Sequence, residues 1–457
     1  MFPFSQRVAR SVTTLILLAS LCHAAPALAQ SEAKVEDLAL KEKRGGTGLS
    51  VRLHKEVPFQ HPLIMPNDTP WLFERGVAIH PDGKRIAVLL PAEKKVALQA
   101  RTVGNLSQYP FLLAWVEMDS GRMTHSKEFQ FGKGEDFGFS LTPDGDSVCI
   151  VAGGRVALLD SSFHTFSWIE SGVRNHDGLE LRATGCTFVP KQTQVLVEFA
   201  NLTGPVLPWA LKSALLLWDW KKEVARGPIY SSVFILDAVP LDGDRAMVYR
   251  QVPNWLYRFR LEEFRFIDGM SSSGVESKGF ITSKLQLSSK YVFRVERNPE
   301  WPGDPAPSVD TPSTLYDGRE YVWDHRVSKR SNPKAKVFVD LTGNVLLWSR
   351  ESPQAGQEFS LWRHLLHWPL LVSHDELWFA VRAVRFKYWE DNQALGWDSN
   401  RFVIFSLDGK KRRLYTSEKF GPQEAITGFA LSPDNKTLVV ATSRRLLIYD
   451  VKETPAP

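Results

Sequence analysis

Residues 77–88 read VAIHPDGKRIAV, which is an apolar run, a Pro-Asp-Gly turn and a second apolar run. The same phrase returns as FSLTPDGDSVCI at 139–150 and, with Asn in place of Gly, as FALSPDNKTLVV at 429–440. Proline fixes φ at the first turn position, aspartate bonds the backbone beyond it, and Gly or Asn accepts a positive φ. Each copy therefore predicts a hairpin of two strands, and its turn residues are expected to be structural rather than catalytic.

A third apolar run follows each copy, and weaker copies of the phrase fill the middle of the chain. These further sets begin near Cys186, Val239, Leu285, Phe338 and Leu370. The apolar runs are short, rich in Val, Ile, Leu and aromatic residues, and bounded by turn residues, as strands of packed sheets are. No segment beyond the first thirty residues keeps a 3.6-residue apolar period. The repeat therefore predicts an all-β chain with eight candidate sets of strands.

A period of roughly 40–50 residues with about four strands per unit is typical of a β-propeller. We therefore predict a single propeller of four-stranded blades over residues 49–457. The number of blades is seven or eight. The uncertainty comes from the last two of the weaker sets, which begin near Lys336 and Pro369 and are closely spaced along the chain.

The two ends of the propeller region predict how the ring closes. The last copy ends at Val451, which leaves no room for an outer fourth strand. Residues 49–54, LSVRLH, alternate apolar and polar side chains, as a half-buried strand does. A strand taken from there would complete the last blade and remove its exposed edge. We predict that this N-terminal strand joins the last blade.

Aromatic-acidic pairs stand where third strands would end, at Trp218-Asp219, Trp323-Asp324 and Tyr449-Asp450. Together with the turn phrase, these pairs resemble the WD-repeat and YVTN-type propeller families over nearly all of the chain from Ser50 to Lys452. The usual Gly-His dipeptide is absent, so the chain resembles the looser bacterial type more than the intracellular scaffold type. The resemblance implies the architecture and leaves the activity open.

Residues 1–29 have the composition of a secretory signal peptide. Arg7 and Arg10 supply the positive start, and an apolar run covers residues 12–21. Small residues then predict cleavage after Ala29. A membrane anchor is the weaker alternative, because the apolar run falls short of the ~20 residues that span a bilayer. We expect a charged, flexible tail over residues 30–48 and a periplasmic or secreted protein without a transmembrane segment after cleavage.

Charge and cysteine content narrow the class of partner. The formal net charge of +5 falls to +3 without Arg7 and Arg10. So small a charge on so long a chain argues against nucleic acid and against general binding to a membrane surface. Cys149 and Cys186 lie in apolar strand patterns, which favours buried free thiols, although export would permit a disulfide.

No motif in the sequence predicts a metal, a cofactor or a catalytic residue. His364 and His367 are spaced as metal ligands on a helix would be, but a strand would point them to opposite faces. The run that holds them contains no Asp or Glu for a third ligand. Nucleophile motifs, zinc-protease motifs, EF-hand loops and haem-binding motifs are absent as well.

Aromatic residues in irregular segments are the candidate contacts with a partner. Exposed aromatic side chains on loops are typical of binding sites, although packing between blades also consumes aromatic residues. The first segment, 201–209, is a proline-containing insertion, and the second is the stretch 298–312. The third segment, 386–398, separates the second and third strands of a set. The candidates in these segments are Trp209, Trp301, Tyr388, Trp389 and Trp397.

Two classes of function follow from these patterns. The first is an exported, non-enzymatic propeller that binds a protein or peptide as a scaffold in the cell envelope. The alternative is a periplasmic propeller enzyme, dehydrogenase- or lactonase-like, with its site at the central channel. A complete repeat without catalytic or cofactor-docking motifs favours the binding protein.

Overall fold

The computed structural model describes residues 49–60, 73–92, 109–131, 137–170, 172, 180–190, 192–200, 213–231, 235–251, 259–269, 271, 275–277, 281–287, 291–297, 343–349, 356–359, 365–386, 397–407, 413–421 and 424–453. Over these ranges the regular structure consists of β-strands. No helix in the same ranges is long and apolar enough to cross a membrane.

Short strands follow one another along the whole described chain. Before residue 280 they are β1 (Leu49–Pro58), β2 (Phe73–Arg75), β3 (Val77–Ile79), β4 (Arg85–Pro91), β5 (Tyr109–Glu117), β6 (Met123–Phe131), β7 (Phe137–Leu141), β8 (Ser147–Ala152), β9 (Arg155–Asp160), β10 (Thr165–Ile169), β11 (Arg182–Phe188), β12 (Gln194–Ala200), β13 (Ser213–Asp219), β14 (Val224–Ser231), β15 (Ile235–Pro240), β16 (Arg245–Gln251), β17 (Phe259–Arg265) and β18 (Val275–Ser277). After it they are β19 (Ile281–Leu287), β20 (Tyr291–Arg297), β21 (Gly343–Ser349), β22 (Gly356–Phe359), β23 (Leu365–Val372), β24 (Trp378–Phe386), β25 (Trp397–Ser406), β26 (Arg413–Thr416), β27 (Ile426–Leu431), β28 (Thr437–Thr442) and β29 (Arg445–Glu453).

The described strands form six sheets, built mostly from antiparallel neighbours in the chain. Four sheets have four strands each: β3–β6, β11–β14, β15–β18, and β27–β29 with β1. A fifth contains β7–β10, with β2 added beside β7. In the sixth, the runs β19–β22 and β23–β26 are joined by a single parallel bridge between Gly343 and Leu365.

Successive sheets pack face to face around a ring. Trp115 of β5 and Ile150 of β8 share one apolar cluster between the first two of these sheets in chain order, β3–β6 and β7–β10. Cys149, on the opposite face of β8, packs in a second cluster with Phe199 of β12. A strand that buries both faces reads as a continuous apolar run, which explains why the central strands hardly alternate. This order of sheets is that of an all-β propeller, as predicted.

Two of the eight predicted sets share one run of strands. The sequence predicts separate sets near Leu285 and Phe338, whereas β20 pairs directly with β21, Val295 opposite Val345. Strands β19 to β22 therefore make one four-stranded run. The long segment 298–342, outside the described residues, separates β20 from β21. Because of this separation, the sequence pattern assigns the two strands to different sets, although they pair in one run.

Strand β1 joins the last sheet, as predicted. It runs antiparallel to β29, from Leu49 opposite Glu453 to Pro58 opposite Arg445. The observed strand is longer than the predicted one. Val57 packs against the apolar cluster between the last sheet and the β3–β6 sheet. Residues near the two ends of the described chain therefore close the ring.

A buried carboxylate strengthens this closure. Glu424 is 6% exposed, and its oxygens accept hydrogen bonds from Arg445 Nε at 2.7 Å and Nη2 at 3.1 Å. Thr442 Oγ1 donates to the same carboxylate at 2.9 Å. Arg445 Nη1 also donates to Glu56 of β1 at 2.8 Å. The hydrogen bond with Glu424, above all, raises the pKa of Arg445.

Replacing Arg445 by methionine leaves Glu424 buried without its cation. Breaking a buried pair from one side typically costs about 3–5 kcal/mol, and we expect Arg445→Met to lower the free energy of unfolding by about that amount. Glu56→Gln removes the more exposed partner and should cost under about 1 kcal/mol. Urea unfolding followed by tryptophan fluorescence measures both. Equal losses in the two variants would contradict this ranking.

The segment that leads into β3 lies on the inner side of the ring. β2 pairs in parallel with β7, Phe73 opposite Phe137, and also contacts β23 and β27, the first strands of their runs. Gly76, directly after β2, is buried. Strand β27 is buried along its whole length, whereas a first strand facing an open channel would expose alternate residues. Residues 73–76 therefore cover the inner side of the last sheet.

Gly428 of β27 marks the closest approach of this segment. A Cβ atom there would lie 2.7 Å from Val77 Cγ1 and 3.2 Å and 3.3 Å from the backbone nitrogens of Val77 and Gly76. We expect Gly428→Ala to lower the free energy of unfolding by about 1–3 kcal/mol, because the packed backbone must move. Gly421→Ala is the matched control, since nothing lies within 4 Å of its Cβ. Identical unfolding midpoints for the two variants would refute the contact.

The repeated phrase folds into the same turn in different sheets. Asp144 Oδ1 accepts a hydrogen bond from Thr142 Oγ1 at 2.6 Å, and Gly145 adopts a φ of +79°. Ser432 Oγ and Asp434 Oδ1 repeat the hydroxyl bond, also at 2.6 Å. In both turns this side-chain hydrogen bond is the main cause that lowers the pKa of the aspartate. The turn aspartates are structural, as the sequence predicts.

Stability should fall in acid as these turn aspartates are protonated. The folded pKa of Asp144 and Asp434 lies below the usual value of 3.8, so their contribution is complete above that value. It is lost as the pH falls through the folded pKa. We expect the thermal midpoint to drop as the pH falls below about 4 and through the folded pKa of the two aspartates. The double variant Asp144→Asn, Asp434→Asn keeps an acceptor oxygen without titrating, so a drop as large as that of the wild type would refute this assignment.

Cys149 of β8 and Cys186 of β11 are buried, and no disulfide joins them. Both lie in the apolar cluster between the β7–β10 and β11–β14 sheets. They occupy the buried strand positions that the sequence favours for them.

Candidate functional site

Most of the predicted contact residues lie outside the described residues, namely Trp209, Trp301, Tyr388 and Trp389. Trp397 opens β25, in register with Phe386. Their segments join the second and third strands of three runs, β12–β13, β20–β21 and β24–β25. In a ring of antiparallel meanders these connections leave at the same end of each run. The strand ends that flank them therefore share one face of the ring, and the contacts themselves stay predictions.

Of the two histidines that are spaced as metal ligands would be, the structure describes only His367. His364 lies outside the described residues, and His367 is in β23, in register with Arg382. Across the described ranges, no group of three or more His, Cys, Asp or Glu side chains is arranged to hold a metal.

Exposed aromatic side chains gather on one strand, β10. Phe166 is 50% exposed and Trp168 is 43% exposed. Aliphatic side chains and one methionine make up the other large hydrophobic residues exposed in the described ranges, which are Leu53, Met123, Val224, Ile267 and Leu377. They are scattered over different elements, so among the side chains whose exposure the structure describes, an exposed aromatic pair is specific to β10.

The turn between β9 and β10 fixes where β10 begins. Asp160 Oδ1 accepts the backbone N–H groups of Ser162 at 2.9 Å and His164 at 2.8 Å. Burial alone would raise the pKa of Asp160, but these bonds outweigh it and lower the pKa. Phe163 is 1% exposed in this turn, and its ring stacks on Trp115 with 5.3 Å between ring centres. The turn is therefore anchored to the neighbouring sheet.

A bulge decides which side chains of β10 face outward. The register with β9 shifts between Thr165 and Ser167, which makes Phe166 the extra residue. Beyond the bulge, Ile169 is 6% exposed and packs in the cluster between the β7–β10 and β11–β14 sheets. Because side chains alternate along a strand, Trp168 points away from that cluster.

Two cations flank the aromatic pair. The guanidinium carbon of Arg155 lies 4.6 Å from the centre of the Trp168 ring, and its Nη1 donates to Glu170 at 3.0 Å. Lys127 of β6 donates from Nζ to the Thr165 hydroxyl at 2.6 Å. Arg155 and Glu170 form a neutral pair, whereas Lys127 forms no ion pair with any residue of the described chain.

Among the described strands, none pairs with the outer side of β10, which is the terminal strand of its sheet. The opposite edge of the same sheet is covered by β2. Half of the backbone N–H and C=O groups along a terminal strand point outward, where a further strand can bond to them.

The repeat template does not point to Phe166 or Trp168, because it ends at the third strand of the set. A weaker signal is present in the sequence. Residues 165–169, TFSWI, alternate polar and apolar side chains after an aspartate-containing turn, as a half-buried strand does. This pattern predicts a fourth strand, but it leaves open which of its apolar residues stay exposed.

Neither a protein-family model nor a curated protein matches the chain. Similar solved structures include Kuenenia stuttgartiensis hydrazine synthase, at 12% identity over 85% of this chain and 98% of that chain, with a TM-score of 0.48. The C-terminal WD40 domain of Sif2 is 10% identical over 89% of this chain and 100% of that one, with a TM-score of 0.47. A chain of the mitotic checkpoint complex is 11% identical over 86% and 93%, also with a TM-score of 0.47. The propeller assignment therefore rests on the sheet order of this chain itself.

Proposed function

We propose that this chain is an exported β-propeller that binds a partner protein through the outer edge of its β7–β10 sheet. The observation that carries the proposal is the pair Phe166 and Trp168, about half exposed on a strand that has no described strand on its outer side. Exposed aromatic surface is unfavourable in water, at roughly 25 cal/mol per Å². Aromatic residues are also enriched at the centres of protein interfaces.

The strand that carries the pair is held at both ends by buried side chains, which favours binding over incidental exposure. Phe163 holds the start of β10 against Trp115, and Ile169 holds its end in the core. Arg155 lies over Trp168 and restrains its ring. A side chain fixed before binding loses little conformational entropy when the partner arrives.

The inner side of the ring supports the alternative, a propeller enzyme with its site at the central channel, less well than the outer edge supports a binding protein. Residues 73–76 cover the inner side of β27, and β2 contacts first strands of three different runs, β7, β23 and β27. A catalytic site at the channel needs room for substrate beside those strands. This arrangement favours the outer edge as the place of recognition.

The sequence supports the export and the propeller type in this proposal, and the sheet order supports the number of blades. Cleavage after Ala29 would deliver a periplasmic or secreted protein of the bacterial WD-repeat or YVTN-like type. The eight-stranded sheet divides at the lone Gly343–Leu365 bridge into two runs of four, which supports a ring of seven blades.

The double variant Phe166→Ser, Trp168→Ser should weaken capture of the partner by at least about tenfold, because aromatic anchors carry most of the energy of an interface. Purified wild-type protein and variants are incubated with envelope extract of the source organism, and one captured protein is quantified across a concentration series. Ile267→Ser, at a residue 73% exposed, is the matched control and should capture as the wild type does. Equal capture by the double variant would refute the proposed surface. Unchanged thermal midpoints show that both variants fold.

A further inference from the structure

We infer that the open edge of β10 takes up an extended, acidic segment of the partner as an additional antiparallel strand. This inference rests on the proposed function and specifies the chemistry of the partner. It combines three observations, which are an unpaired backbone edge, an exposed aromatic pair and a cation without a carboxylate in the described chain.

The backbone edge favours recognition by strand addition. The chain already uses this mode on itself, because β1 adds to β29 from the other end of the chain and β2 adds to β7. Thr165–Ile169 has five residues, which corresponds to about 17 Å of strand. An extended peptide of similar length would pair with it through main-chain hydrogen bonds, while alternate side chains select the sequence.

The aromatic pair favours apolar side chains on the partner strand. Phe166 and Trp168 present large exposed rings on one short strand, and cross-strand aromatic and β-branched neighbours stabilise a sheet. Arg155 lies over Trp168 and is already neutralised by Glu170. We therefore expect the partner strand to place an apolar residue, rather than a charged one, beside this end of β10.

The charge of Lys127 selects an acidic residue at the other end. Its Nζ lies 2.6 Å from the Thr165 hydroxyl, at the start of β10, and 5.7 Å from the centre of the buried Phe129 ring. A strand laid beside Thr165 would remove water from this ammonium group. A carboxylate on that strand would compensate, whereas a lysine there would add repulsion.

A second copy of this chain fits the edge less well. A stable dimer buries roughly 800 Å² on each partner, and a five-residue strand with two aromatic rings supplies a small part of that area. A peptide needs only the edge itself. Sedimentation at a series of concentrations separates the two, since a dimer lost in Phe166→Ser, Trp168→Ser would overturn the inference.

Synthetic nine-residue probes test the chemistry directly by fluorescence anisotropy with the full chain. Each probe alternates Val or Trp with a polar residue, which is Glu in the first probe, Gln in the second and Lys in the third. We expect the Glu probe to bind at least tenfold more tightly than the Gln probe, and the Lys probe to bind most weakly. Lys127→Met should bring the Glu and Gln affinities within twofold, whereas Lys84→Met, at an exposed turn between β3 and β4, should leave their ratio unchanged.

Backbone methylation tests the added strand. In an antiparallel pair, alternate residues point their N–H groups at the neighbour and the others point away. Two versions of the Glu probe are N-methylated on one or the other alternate set. One set should lose binding at least tenfold and the other should retain it within threefold. Equal affinities for the two versions would overturn strand addition.

The results also separate this inference from the proposed function. If Glu and Gln probes bind equally and both depend on Phe166 and Trp168, the acidic preference is wrong and the aromatic surface stands. If partner capture depends on Phe166 and Trp168 but no probe binds, the extended-strand mode is wrong while the docking surface stands. If neither probes nor partner depend on the two residues, both proposals fail.

Discussion

Pairing of β1 with β29 is the constraint on which the rest of the structure depends. Without it the row of sheets has two ends, each with an open edge and an apolar face. With it, Val88 of β4 and Val439 of β28 pack in a single cluster, and the buried Glu424 is tied through Arg445 to β1. Sheets confined to a ring cover each other's faces, whereas their outer strands stay at the surface. The open edge of β10 is therefore a consequence of closure as much as of its own sequence.

Much of the fold could be predicted because its turns are made by neighbouring residues. Thr142, Asp144 and their equivalents bond over two positions, so a twelve-residue phrase contains the whole signal. The pairing of Val295 with Val345 could not be predicted, because a long segment separates two strands that belong together. The position of β2 also has no local signal. It depends on a missing side chain at Gly428, far along the chain, and on parallel pairing over three residues.

The candidate site shows the same division between local and assembled properties. Trp115 and Trp168 both lie in strands of alternating or apolar character, yet Trp115 is completely buried and Trp168 is 43% exposed. The difference arises because Trp115 lies between two sheets, whereas Trp168 follows a bulge on an outer strand. Irregular composition points to loop aromatics such as Trp209 and Trp301, which remain predictions. Composition has no corresponding signal for an aromatic residue that the packing of sheets leaves uncovered.

Contacts on both the outer edge and the inner side of the last sheet have a consequence for the order in which the molecule folds. β1 lies along the outer edge of this sheet and residues 73–76 cover its inner side, so the last sheet docks between segments that precede it in the chain by more than 300 residues. Glu56 and Arg445, which meet between β1 and β29, are 389 positions apart. Contacts of such sequence separation form slowly, because the loop entropy is lost before the contact is gained. We therefore expect docking of β27, β28 and β29 to be a late step of folding, during which the edges and apolar faces of the unclosed sheets are exposed to misassembly.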